Sequence, residues 1–266
     1  MLFFKQNHVL FTILFFSAVS SLDIAKKYEK KKLVFNGDNT SIRAHPHQVW
    51  LLMDTRITDF TGFMVGCGGI IISENFIMTA AHCFGGGAFT VEVRAGSTWK
   101  DEDYTLIPIS KVLVHPEYSA GYFNMDVALL KTRRPIKFTE SIKAIRLPAR
   151  GRPMVEGTMI TVTGWGVTEG GDESERLMAI KIPVANFERC SMQYSIELTE
   201  NMWCGGYFEA GGKIACKGDS GGPAVQNDTV VGIVSFGFTG CSKGPNVYTN
   251  VAAPAVRDFI TKHTGL

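Results

Sequence analysis

Along much of the chain, apolar and polar positions alternate with the period of a strand rather than a helix. In the stretch FTVEVRA (89–95), Phe89, Val91, Val93 and Ala95 fall on one face and Thr90, Glu92 and Arg94 on the other, which predicts a half-buried β-strand. Comparable runs are QVWLLM (48–53), GGIII (68–72), FIMTA (76–80), DVALLK (126–131), MITVTG (159–164), VVGIVSF (230–236) and NVYTNV (246–251). Gly, Pro, Asn and Asp clusters separate them. Many short strands without helical interludes predict an all-β fold of antiparallel barrel or sandwich type. Two stretches break the pattern. Residues 133–158 are basic and punctuated by Pro135, Pro148 and Pro153, as expected of a bridge between two β units. Near the end, Val256, Phe259 and Ile260 recur at helical spacing behind Pro254, and His263 and Gly265 close the segment. These predict one amphipathic C-terminal helix.

The N-terminus carries a different signal. Lys5 and His8 lie in a short polar opening, an apolar run spans 9–16, and small residues Ser17, Ala18 and Ser20 follow. This reads as a secretory signal peptide over residues 1–20, with Ser21 as a rival cleavage position, because a membrane anchor needs about twenty apolar residues. The lysine-rich stretch 21–33 reads as a solvated pro-segment. Export places the chain outside the cell and makes its six cysteines, Cys67, Cys83, Cys190, Cys204, Cys216 and Cys241, candidates for disulfides. A zinc site is disfavoured, since no C-x-x-C pair occurs. Two sequons, at Asn39 and Asn227, are glycosylation candidates.

The charges, 27 basic against 25 acidic residues over 266 positions, are well mixed, so no field would recruit nucleic acid or a membrane surface. No cofactor is expected, and a monomer is.

Ser220 in GKIACKGDSGGP (212–223) stands between an aspartate and two glycines. A serine hydroxyl becomes a nucleophile only with a base to take its proton and a third group to orient that base. Of the six histidines, His82 in IMTAAHCF follows a strand signal and precedes Cys83, which could brace its backbone. Asp126 in NMDVALL sets a lone carboxylate at the head of an apolar run, costly to bury unless paired.

Together TAAHC, DVALL, GDSGGP, TGWG (163–166), SFG (235–237) and PNVYTNV resemble the chymotrypsin-like (trypsin-like) serine protease family over residues 34–266. The resemblance implies two antiparallel β-barrels with the site between them. It assigns Ser220 as nucleophile, His82 as general base and acid, and Asp126 as the residue that orients His82, with Gly218 and Ser220 supplying the N–H groups of the oxyanion hole. Ser235 is expected to hydrogen-bond Asp126. Of the fifteen possible pairings, the family selects Cys67–Cys83, Cys190–Cys204 and Cys216–Cys241. Polypeptide substrates, an activating protease and protein protease inhibitors are the implied partners. A catalytically silent homologue acting as a binding or decoy protein keeps the same fold. An esterase with a G-x-S-x-G motif fits poorly without βαβ alternation.

The sequence departs from the family in two places. Family precursors are cut so that a new α-amine pairs with the aspartate beside the nucleophile, here Asp219. The usual start is Ile-Val-Gly-Gly or Ile-Val-Asn-Gly after a basic residue, whereas this chain reads KKLVFNGD. Counting back from Asn36 and Gly37 makes Val34 the new terminus, by a cut after Leu33 or a cut after Lys32 followed by trimming.

In the specificity pocket, Ile214 takes the place of the aspartate that selects Lys or Arg in trypsin-like members. Burying a cation there would leave it uncompensated. With Ala215, Lys217, Ser235, Phe236, Gly237 and Asn246 completing the pocket, the expectation is an apolar residue on the acyl side of the cut bond (P1), with Leu, Met or Phe before smaller ones. Lys217 at the rim would favour acidic residues near the cut. The stretch KDEDY (100–104) lies where some members bind calcium but is shorter than theirs, and no metal is expected.

Overall fold

A computed structural model describes residues 37–54, 64–85, 90–209, 212–241 and 244–266. The signal segment, the pro-segment and Val34 lie outside the described residues. In chain order the strands are β1 (Asp38–Asn39), β2 (Gln48–Asp54), β3 (Met64–Ile71), β4 (Phe76–Thr79), β5 (Thr90–Ala95), β6 (Thr105–Leu106), β7 (Ile109–Val114) and β8 (Ala128–Thr132). They continue as β9 (Met159–Gly164), β10 (Met178–Pro183), β11 (Met202–Gly205), β12 (Pro223–Gln226), β13 (Thr229–Phe236) and β14 (Asn246–Asn250). Helix α1 covers Phe187–Ser191 and α2 covers Pro254–Thr264.

The strands form two seven-stranded antiparallel sheets, in the orders β6-β5-β2-β3-β4-β8-β7 and β1-β10-β9-β12-β13-β14-β11. This is the two-part all-β fold that the family resemblance implies. The stretch between β8 and β9 crosses from one sheet to the other. It is no free linker: Ile136, Ile142 and Ile145 are buried in the core of the first sheet.

Strand β5 follows the alternation expected of it, with Val93 and Ala95 buried. Its partner β2 is buried on both faces, with Val49, Trp50, Leu51 and Met53 all nearly inaccessible. At the chain's end, α2 starts on Pro254, where the missing N–H costs nothing, and stops at Gly265 in the left-handed conformation (φ 76°). Its buried Val256, Phe259 and Ile260 join the core of the first sheet, alongside Val230 and Ile233 of β13. The C-terminal segment therefore packs against a core that is mostly N-terminal in sequence.

The three disulfides join Cys67 to Cys83, Cys190 to Cys204 and Cys216 to Cys241. The cluster of potential metal-ligand types found among the described residues is Cys67, His82 and Cys83, and its two sulfurs are bonded to each other. Among the described residues no helix is long and apolar enough to cross a membrane. Asn39 on β1 and Asn227 in the β12–β13 turn are both exposed.

Candidate active site

His82 sits in a 3-10 turn, Ala81–Phe84, that follows β4, and the Cys67–Cys83 bridge ties that turn to β3. Asp126 comes just before β8, after a turn in which Phe123 (φ 55°) and Met125 (φ 54°) hold left-handed backbones that non-glycine residues seldom adopt. The Asp126 side chain is fully buried, and each carboxylate oxygen is engaged. Oδ1 accepts the backbone N–H of His82 at 2.8 Å. Oδ2 lies 2.7 Å from His82 Nδ1 and accepts the Ser235 hydroxyl at 2.5 Å. The Asp126 carbonyl accepts Thr249 Oγ1 at 2.9 Å. With Nδ1 facing a carboxylate it carries its proton, which leaves Nε2 as the nitrogen able to take another.

The second sheet supplies the serine. Ser220 is half-buried between β11 and β12, and its carbonyl accepts the N–H of Gly68 in β3 at 2.7 Å. The Gly68 carbonyl in turn accepts Thr79 Oγ1 at 2.8 Å. The serine's backbone is thus pinned to the sheet that carries His82.

Gly218 precedes it with φ 91°, and a Cβ there would stand 3.1 Å from the Gly166 Cα. Only glycine suits such a backbone. Asp219 is buried, with Oδ1 accepting Gly166 N–H at 2.9 Å and Oδ2 accepting Cys216 N–H at 2.9 Å. Burial pushes its carboxyl up to about 6, against the opposing pull of these two bonds and with a smaller push from Glu173. Among the described residues no cation faces it.

Beside Ser220 opens a recess of about 240 Å³ lined by Ala215, Lys217, Ser220, Ser235, Phe236, Gly237 and Asn246, among others. Lys217 is exposed at its edge. Ile214 is not among its walls. It is 4% exposed and packs with Cys216, Cys241 and Val167. Asn246 is equally buried and does line the recess, its Nδ2 donating to the Ala215 carbonyl at 2.8 Å. Ile214, expected to meet the substrate side chain, therefore lies behind the recess against Cys216 and Cys241, and Asn246 lines it instead.

Sequence reasoning missed Phe123, whose ring is 5.9 Å from that of His82 and 4.9 Å from that of Phe236. No periodicity marks it, because it acts from a strained turn. It also missed Thr249, although the PNVYTNV stretch that contains it was legible.

A split two-sheet β fold, a buried acid paired to a histidine, and a serine on a glycine-rich turn together define a serine protease of the chymotrypsin-like class. The chain belongs to the trypsin family, whose model, "Trypsin", matches residues 34–260. It is 40% identical over 205 residues to Trypsin 5G1 of Aedes aegypti, covering 75% of this chain and 76% of that one. It is 34% identical over 227 residues to Trypsin Blo t 3 of Blomia tropicalis, covering 82% of each. Among solved structures it is similar to the scabies mite inactivated protease paralogue S-D1, with a TM-score of 0.76, 27% identity, and coverage of 86% of this chain and 97% of the other.

Proposed function

We propose that this chain is the precursor of a secreted, monomeric serine endopeptidase that acts on polypeptides through Ser220, His82 and Asp126 and prefers uncharged, mainly apolar P1 residues. The observation that carries the reading is the fully engaged Asp126 carboxylate, which turns His82 Nδ1 inward on the sheet to which Ser220 is pinned.

In this mechanism His82 Nε2 takes the Ser220 hydroxyl proton as Oγ attacks the scissile carbonyl. The negative oxygen is met by the N–H groups of Gly218 and Ser220. As the C–N bond breaks, His82 returns the proton to the leaving amine, and water then releases the acyl group from Ser220 by the same sequence. Asp126 holds the imidazole in this orientation and stabilises the imidazolium.

For activation, we place the new terminus at Val34, its α-amine pairing with Asp219. A buried carboxylate that no cation faces among the described residues supports this. N-terminal sequencing of the active protein tests it, and a terminus well beyond Gly37 would overturn it. For specificity, no acidic side chain among the described residues lines the recess, which supports discrimination against Lys and Arg, as does Ile214 behind it. Cleavage of a peptide library by the activated enzyme is expected to rank uncharged residues above Lys and Arg at P1, and the reverse order would sink this assignment.

A silent homologue is the competing reading, favoured by the likeness to a protein described as an inactivated protease paralogue. Hydrolysis of an unfolded polypeptide by the activated chain, lost on Ser220→Ala and on His82→Ala, separates the two. Activity that survives both changes, or that never appears, would contradict the proposal.

A further inference from the structure

We infer that Asn246 gives the recess beside Ser220 a hydrogen-bond acceptor, so that among uncharged P1 residues the enzyme favours those ending in an N–H or O–H donor: Tyr over Phe, and Gln over Met. The inference rests on the proposed endopeptidase reading and narrows its substrate class.

The orientation of the carboxamide is fixed by its partner. A carbonyl only accepts, so the atom 2.8 Å from the Ala215 oxygen is Nδ2. Oδ1 is then the other end of the group, and it is buried with no hydrogen-bond partner among the described residues. Its place is marked by Gly237, another wall of the recess: a Cβ built on Gly237 would fall 2.5 Å from Oδ1. The oxygen therefore stands in the gap that the missing side chain leaves, between two residues that line the same recess.

A buried acceptor left unmade is costly, and a ligand group that satisfies it recovers that cost. Sites built around a buried polar group discriminate strongly against analogues that lack its partner. Glu has the reach of Gln, but an ionised carboxylate only accepts and meets Oδ1 with like polarity. The aromatic and aliphatic walls contributed by Phe236, Phe238 and Val234 suit the apolar body that precedes the donor in Tyr or in Gln.

The test uses the activated full catalytic chain and peptides matched except at P1, in the pairs Tyr against Phe and Gln against Met. The expected kcat/KM ratio is about tenfold in favour of the donor in each pair, and the ratio falls to about one in Asn246→Leu, which keeps the branched shape without the acceptor. Ratios at or below one in the unmodified enzyme, or ratios unchanged in Asn246→Leu, would overturn the inference.

Calorimetric binding of the same peptides, ending in a free carboxylate at Tyr or Phe, to the Ser220→Ala chain reads the same preference without turnover. It separates a wrong pocket assignment from a failure of the endopeptidase reading, which would abolish hydrolysis of every peptide while leaving the binding ratio intact.

Discussion

The Ser235 hydroxyl reaches from β13 of the second sheet to Oδ2 of Asp126, at the head of β8 in the first, and donates to it at 2.5 Å. The same oxygen faces His82 Nδ1, so a residue of one sheet steadies the acid that the other presents to the histidine. Ser235→Ala is expected to lower kcat about tenfold, with a smaller effect on KM, because the hydroxyl that is lost is spent on the charged Asp126 carboxylate although the residue also lines the recess. Ser235→Thr, which restores the hydroxyl, should recover most of the rate. Steady-state kinetics of the two variants check this, and an equal rise in KM would point to a role in substrate binding instead.

Gly218→Ala should be a catalytic lesion. The alanine would have to adopt φ near 91° with its Cβ 3.1 Å from the Gly166 backbone, so the peptide that presents the Gly218 N–H would turn away. Loss of one oxyanion donor lowers kcat by about a hundredfold to a thousandfold. Kinetics on a good peptide substrate, with the circular-dichroism spectrum unchanged, would bear this out.

Asp219 gives a pH dependence whose sign can be worked out. Burial raises its carboxyl from 3.8 in the unfolded chain to about 6 in the folded one, so the folded chain retains a proton that the unfolded chain releases between those values. Stability is therefore lost as pH rises from about 4 to about 6, by about 3 kcal/mol. In the unactivated Ser220→Ala chain, Asp219→Asn should remove this slope, seen as the difference between two Tm-against-pH curves. In the proposed activated form, with the Val34 α-amine paired to Asp219, the carboxylate would be held charged and the slope should vanish. Parallel curves before activation would contradict the account.

The bridge between Cys216 and Cys241 closes a loop of 25 residues across two segments that line the recess. Replacing both cysteines with serine should cost about 2–4 kcal/mol and broaden P1 selectivity. Thermal unfolding and a P1 library measure the two effects separately.

Most of this architecture could be read from local pattern. The stretch MITVTG is β9 residue for residue, because its alternating apolar residues Ile160 and Val162 point into the core. Strand β10 carried a usable alternation, with Met178, Ile180 and Ile182 buried, yet it was not among the predicted strands. Strand β11 was hidden for a different reason: four buried residues have no period. Strand β12 opens on Pro223, which reads as a breaker. Asp126 was found by its chemistry, but the strand expected to begin there starts at Ala128, since Met125 turns the backbone first. The recess was the least legible part. Sequence order sets Ile214 beside the serine, whereas only tertiary packing brings the Asn246 carboxamide across to Ala215 and buries Ile214 behind it.

The central claim is that Ser220 is a nucleophile primed by His82 and Asp126. It is tested most directly by treating the activated chain with an active-site-directed phosphonate and locating the adduct by mass spectrometry. The account predicts one adduct per chain, on Ser220, abolished by Ser220→Ala and slowed by at least about a hundredfold in His82→Ala. An activated chain that takes up no label at Ser220, or takes it up equally well without His82, would contradict it.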